Sequence, residues 1–203
     1  SYPAFDDINW KKYALEIQDI KDTIKQLEEG NDKAKALRER KEKLDEDIKK
    51  RYPSYTKCAN DINCFKDYYE ALAYANEVNK PLLLDFTGYG CVNCRKTEDY
   101  IWKDKNIKGM LNNDFVLASL YVDDRKKLKK KLTSATRDVS LRNVGNKWAD
   151  FQIVNFKQNS QPLYVPVTTD QNVITAPRGY EEGVDNYKQF LDCALEINRN
   201  TDD

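Results

Sequence analysis

The sequence predicts an α/β fold, a central mixed sheet flanked by helices, with an antiparallel helical hairpin in front of it. Three observations carry this. The run Leu82-Leu83-Leu84-Asp85-Phe86 is short and apolar and leads into Thr87-Gly88-Tyr89-Gly90, so it reads as a buried strand ending in a turn. A helical pattern follows, and then a second apolar run from Phe115 to Val122; strand, helix and strand of this length make a βαβ unit with a parallel pair. Ahead of both, Trp10, Tyr13, Ile17, Ile20, Ile24 and Leu27 recur at spacings of three and four, the mark of one helix face.

The hairpin comes first. Gly30-Asn31 interrupts the first stripe, and a second follows at Ala34, Leu37, Leu44 and Ile48 among densely charged residues. Two helices joined by a short turn give a hairpin over residues 1–52. Its narrow second stripe favours an arm packed on itself or on the following domain over a docking arm for a partner. Residues 53–203 are read as the main domain. Arg51-Tyr52-Pro53-Ser54-Tyr55 is linker-like. Phe65 to Asn79 reads as a helix with Phe65, Tyr68, Tyr69, Leu72 and Val78 near one face, ended by Lys80-Pro81. The helix after the glycine turn is expected to run to about Met110-Leu111. The segment from Asp123 to Val144 is hard to read. Its basic run Arg125-Lys126-Lys127-Leu128-Lys129-Lys130-Lys131 suits a solvated loop better than a patch for an acidic partner or lipid head groups, since no aromatics are interleaved. Asn146 to Phe156 looks helical, with Trp148 and Phe151 to bury. Leu163 to Thr168 and Val173-Ile174-Thr175 read as a strand hairpin, in which Pro166 implies a sheet edge or a bulge. Gly183 to Asn198 closes the chain as a helix, with Cys193 expected in its core.

Composition narrows the function. The chain has 203 residues, enough for a real core, and 34 basic residues balance 34 acidic ones. A zero net charge argues against general nucleic-acid binding. No apolar run approaches the roughly 20 residues a membrane helix needs. The chain starts Ser1-Tyr2-Pro3, without methionine or a signal-peptide pattern, and we read it as a mature protein or a piece of a longer one. Histidine is absent, which removes Cys-His and Ser-His nucleophile pairs and His-containing metal sites.

Five cysteines remain: Cys58, Cys64, Cys91, Cys94 and Cys193. Cys91 and Cys94 stand at CxxC spacing where the helix begins after the glycine turn. A thiolate at a helix start is stabilised by unpaired N–H groups, and a second cysteine one turn on can attack the mixed disulfide formed by the first. Cys58 and Cys64 either close a small disulfide loop in an oxidising compartment or stay as free thiols; spacing alone does not choose. A zinc site drawing on Cys58, Cys64, Cys91 and Cys94 is conceivable, but the strand–turn–helix setting favours redox chemistry, and no metal is expected.

The order of elements, with Asp85 six positions before the first cysteine, resembles the thioredoxin fold. Cys91-Val92-Asn93-Cys94-Arg95 with Glu98, the string FTGYGCVNCRKTEDYIW and the later VGNKWADFQIVNFKQNSQP are similar to the C-terminal periplasmic domain of the thiol:disulfide interchange protein DsbD in its Bacteroidetes-type version. The resemblance covers about Cys64 to Asn198 and not the N-terminal hairpin. It implies a protein-disulfide reductase domain with Cys91 as exposed nucleophile, Cys94 as resolving cysteine, Asp85 as buried acid and Glu98 as a second acid. It matches Pro162 to a cis-proline facing the cysteines, with Gln161, Tyr89 and Gly90 beside the substrate. Gly90 stands where thioredoxins commonly carry tryptophan, and Gln161 replaces the small or β-branched residue common before that proline. No bound cofactor is implied beyond the cysteine pair. The implied partners are periplasmic protein disulfides and a membrane-embedded electron-donor domain of the same parent protein, with the domain itself monomeric. A binding module with structural or redox-sensing cysteines, and an isomerase or oxidase of the same fold, are the competing readings.

Overall fold

In the computed structural model, residues 10–26 and 32–201 are described. The elements in order are α1 (Trp10–Gln26), α2 (Asp32–Arg51), β1 (Tyr55–Lys57), a 3-10 turn (Ala59–Asp61), β2 (Asn63–Phe65), α3 (Tyr68–Val78), β3 (Leu82–Thr87), α4 (Val92–Lys96) running into a π turn (Thr97–Ile101), α5 (Lys105–Asn113), β4 (Val116–Tyr121), β5 (Lys127–Thr133), β6 (Ser140–Asn143), α6 (Val144–Phe156), β7 (Leu163–Val167) and α7 (Val184–Thr201).

The main sheet runs β1-β2-β4-β3-β7. Strands β3 and β4 are parallel, in register from Leu82 opposite Val116 to Thr87 opposite Tyr121. Strand β7 is antiparallel to β3, with Asp85 opposite Tyr164. All six residues of β3 are buried, which explains why that stretch reads as an unbroken apolar run. Its side chains alternate between two core layers. Leu82, Leu84 and Phe86 pack with α3, α6 and the N-terminal arm. Leu83 packs on the other face with Ile101, Trp102, Ile107, Phe190 and Leu191 from the α4–α5 region and α7. Asp85 shares the parity of Leu83 and so belongs to the layer under α4.

The arm packs on the domain. Ile17, Ile20, Leu44 and Ile48 are buried in the same cluster as Tyr55, Phe65 and Ala75. Asp45 ties α2 to β1, accepting hydrogen bonds from the Tyr55 hydroxyl at 2.6 Å and Lys57 Nζ at 3.1 Å. Trp10, Tyr13 and Ile24 have side chains outside the described residues, as do Leu27 and the Gly30-Asn31 break altogether.

Several expectations need correction. Phe65 belongs to β2, where it pairs with Ala118 of β4, and the helix starts only at Tyr68 because the Asp67 carboxylate caps it through the Tyr69 and Glu70 amides. Tyr69 is exposed. The helix carrying the CxxC does not run on to Met110: it closes with a π turn, and a fresh helix begins behind the Asp104 cap. The basic segment is an antiparallel ribbon, β5–β6, instead of a loop. The Val173–Thr175 return strand reduces to single bridges, Val167 to Val173 and Tyr164 to Arg178. Cys193 is exposed, on the outer face of α7. Pro166 is accounted for by the edge position of β7. Its carbonyl accepts from the Ile174 amide on the outer side, so the missing N–H also points outward and costs no bond to β3. Among the described residues no helix is long and apolar enough to cross a membrane.

Candidate active site

Strand β3 delivers the chain to the end of the sheet where the turn at residues 88–90 reverses it into α4. Gly88 lets two side chains close in there: a Cβ at this position would lie 2.8 Å from Gln161 Oε1 and 2.9 Å from Asp123 Oδ2, so both side-chain ends would have to move aside. The turn, the loop before β7 and the end of β4 therefore meet at one point. The Asp123 carboxylate holds the turn, accepting the Tyr89 amide at 2.9 Å and the Gly90 amide at 3.0 Å.

Cys91 caps α4, and its sulfur is bonded to that of Cys94. Cys91 is partly exposed, whereas Cys94 is 2% exposed. The Cys94 amide points at the Cys91 sulfur at 3.1 Å. With only five residues in α4, this local donor matters more for charge on that sulfur than a long helix dipole would. Tyr89 and Val92 on either side are 67% and 69% exposed and frame Cys91 with apolar surface. The Gln161–Pro162 peptide bond is cis, and Pro162 is buried at the start of β7.

Beneath the cysteines lies a cluster of charges. Asp85 is 2% exposed and accepts a hydrogen bond from the Ser119 hydroxyl at 2.9 Å. Burial pushes its carboxyl up to about 7; the Ser119 bond and the Lys66 and Arg95 cations pull against this, and Glu98 adds to it. Glu98 is also buried and paired with Arg95 at 2.7 Å. Burial raises its carboxyl above the usual range, opposed by Arg95 and Lys66. Lys66 is the fourth member, beside Asp85, Glu98 and Arg95. Its ammonium sits 4.0 Å over the Tyr121 ring and 3.2 Å from the Cys58 sulfur, and burial lowers it to about 8 against the pull of Asp85 and Glu98.

Of the three remaining cysteines, Cys58 and Cys64 are bonded to each other. The loop they close carries Asn60, whose side-chain amide donates to the Glu98 carbonyl at 2.7 Å and so ties it to the CxxC helix. Cys64 is fully buried. Cys91–Cys94 and Cys58–Cys64 are the two bonded pairs, and among the described residues no cluster of three or more metal-ligating side chains occurs.

Of the sequence-derived residues, Tyr89, Gly90 and Gln161 meet at the turn before Cys91 through Asp123 and Gly88, Asp85 and Glu98 share one buried charge cluster, and Pro162 follows Gln161 through a cis bond. Sequence reasoning missed Asp123, Lys66, Ser119 and Asn60. Asp123 was findable: it follows β4 as Gly88 follows β3, and parallel strands end together. Lys66 was not, because its place depends on β2, a strand of three residues with no period to read.

A thioredoxin-like family model matches residues 63–142. Among solved structures, a DsbH oxidoreductase is similar at 20% identity with a TM-score of 0.48, over 64% of this chain and 82% of that one. A thioredoxin from Thermus thermophilus gives 16% identity and a TM-score of 0.47, over 64% and 85%. The reduced C-terminal domain of Neisseria meningitidis DsbD gives 11% identity and a TM-score of 0.42, over 60% and 88%. No curated protein matches. With the strand order and the strand–turn–helix described above, the chain has a thioredoxin-like α/β fold, a mixed sheet flanked by helices, preceded by α1 and α2.

Proposed function

We propose that this chain is a thiol–disulfide oxidoreductase domain working as a protein-disulfide reductase through Cys91 and Cys94. The observation that carries the reading is the pair itself: a partly exposed cysteine capping a helix, bonded to a buried one that follows three residues on. In the reduced domain the Cys91 thiolate attacks one sulfur of a substrate disulfide. That bond breaks, a mixed disulfide forms, and the first substrate thiolate leaves and takes up a proton. Cys94 then gives up its proton, for which the buried Asp85 carboxylate, ionised at that moment, is the acceptor in this scheme. The Cys94 thiolate attacks the Cys91 sulfur, the mixed disulfide breaks, and the second substrate sulfur leaves as a thiolate that takes up a proton from water. The substrate gains two electrons and two protons, and the domain ends with Cys91 bonded to Cys94.

The electrons travel as the dithiol, so the reaction calls for no bound cofactor. In this reading Tyr89, Gly90, Gln161 and Pro162 would meet the substrate backbone beside Cys91, and Glu98, paired with Arg95, would add negative charge near the cysteines. The sequence resemblance supports a periplasmic setting and a membrane-embedded dithiol donor in the same parent protein, and the domain is proposed to act as a monomer.

The test is insulin reduction with a dithiol donor, alongside the equilibrium potential of the pair. Wild type is expected to turn over, Cys91→Ser to be inactive, and Cys94→Ser to accumulate mixed disulfides. A potential near roughly −270 mV supports the reductase direction, whereas one near roughly −120 mV identifies an oxidant. Normal turnover by Cys94→Ser defeats the assignment of roles.

A further inference from the structure

We propose that the lysine-rich β5–β6 ribbon docks on an anionic membrane surface and holds the Cys91–Cys94 end of the domain against it. Residues 125–143 carry eight basic residues and one acidic one, Asp138, on a chain whose total charge is zero. The rest of the molecule therefore carries the compensating negative excess, and the positive charge is concentrated in one element. Lys129, Lys130 and Lys131 are exposed, as are Lys126 and Lys127. Among the described residues none of these five lysines forms an ion pair.

The ribbon is held in place. Leu141 and Ser134 are buried, the Arg137 guanidinium reaches Asp150 of α6 at 3.1 Å, and the Val144 amide closes onto the Lys126 carbonyl at 2.9 Å. A two-stranded ribbon with solvated strands would be marginal alone; these anchors give it a definite orientation. Its root is also the active-site end. Strands β3 and β4 finish side by side, with Thr87 opposite Tyr121. The CxxC turn leaves one and the ribbon leaves the other, and Asp123 stitches the two together through the Tyr89 and Gly90 amides.

The chemistry of the patch selects the partner. Protein interfaces draw most of their energy from buried aromatic and arginine anchors, and single-stranded nucleic acid is held on aromatic platforms. The ribbon carries no aromatic side chain, and β5 is lysine, leucine and threonine, with Arg137 held by Asp150 and the exposed Arg125 and Arg142 only at its root. Lysines are compact hydrated charges, suited to a diffuse field of anionic head groups more than to bidentate recognition. The inference does not depend on the redox reading, since binding and turnover are measured separately.

The experiment is co-sedimentation of the chain with phosphatidylcholine vesicles, with and without phosphatidylglycerol, across a salt series. Binding is expected only with the anionic lipid and is expected to fall with salt. Each lysine removed should lower partitioning roughly fivefold, so Lys127→Gln/Lys129→Gln/Lys131→Gln should nearly abolish it. A control with the same charge loss on α2, Lys35→Gln/Lys43→Gln/Lys50→Gln, should keep most of it. Thermal melting checks that both variants fold. The proposal is overturned if wild type binds neutral vesicles equally, if the two triple variants lose binding equally, or if wild type binds no vesicle.

Discussion

Replacing Asp85 with asparagine should make the oxidised domain more stable near and above neutral pH. Asp85 is buried, and its carboxylate accepts a hydrogen bond from the Ser119 hydroxyl. Its carboxyl stands at about 7 in the folded domain against an ordinary 3.8. The folded state therefore binds this proton more tightly than the unfolded chain. Below pH 3.8 the group's contribution is fully present; it is lost as pH rises from there through about 7 and then stays lost. At about 1.4 kcal/mol per pH unit, the gap amounts to roughly 4 kcal/mol. Asparagine keeps an oxygen that can accept from Ser119 and carries no charge to desolvate. Asp85→Asn should accordingly recover most of that figure at pH 8 and little at pH 4. Urea unfolding of both proteins from pH 4 to 8 reads this directly. Glu98 titrates in the same direction, so the difference between wild type and variant, not the wild-type curve, is the measure. Parallel curves for the two proteins across this range would refute a buried, protonated Asp85.

Lys66→Met removes a cation that holds the Asp85 carboxyl down, so the midpoint of that stability loss should move to higher pH; an unchanged or lower midpoint counts against the coupling. Replacing both Cys58 and Cys64 with serine opens a short loop and should cost about 2 kcal/mol in urea unfolding by the chain-entropy relation, while leaving the Cys91–Cys94 bond intact on peptide mapping. No loss of stability would mean that the Asn60 contact and the surrounding core already hold the loop. Asp123→Ala should deprive the turn of its two carboxylate contacts. At this exposed site about 1–2 kcal/mol is at stake, read as faster hydrogen exchange at the Tyr89 and Gly90 amides. Unchanged exchange at both amides would show that the turn does not need Asp123.

The sequence by itself determined the frame of the site, because each part of that frame is a local pattern. An apolar run of strand length, glycines at a turn, cysteines one helical turn apart and an acid inside the strand are all legible within residues 82–98. The later strand was readable in the same way from its apolar run behind Pro162. Reading failed where a side chain pattern had no burial period to show. Strand β5 is solvated, so a run of lysines looks like a loop until the ladder with β6 is seen. Short β2 is defined by its partners β1 and β4, which is why the residue pattern assigns Phe65 to a helix and does not single out Lys66. Only the tertiary structure decided that Asp123 grips a turn 33 residues before it, that Asn60 reaches Glu98 across 38, and that Cys58 pairs with Cys64 beside the Lys66 ammonium. Such contacts come from how the two parallel strands end together and which edge the β1–β2 hairpin joins. They depend on through-space packing between distant segments, which periodicity along the chain does not encode.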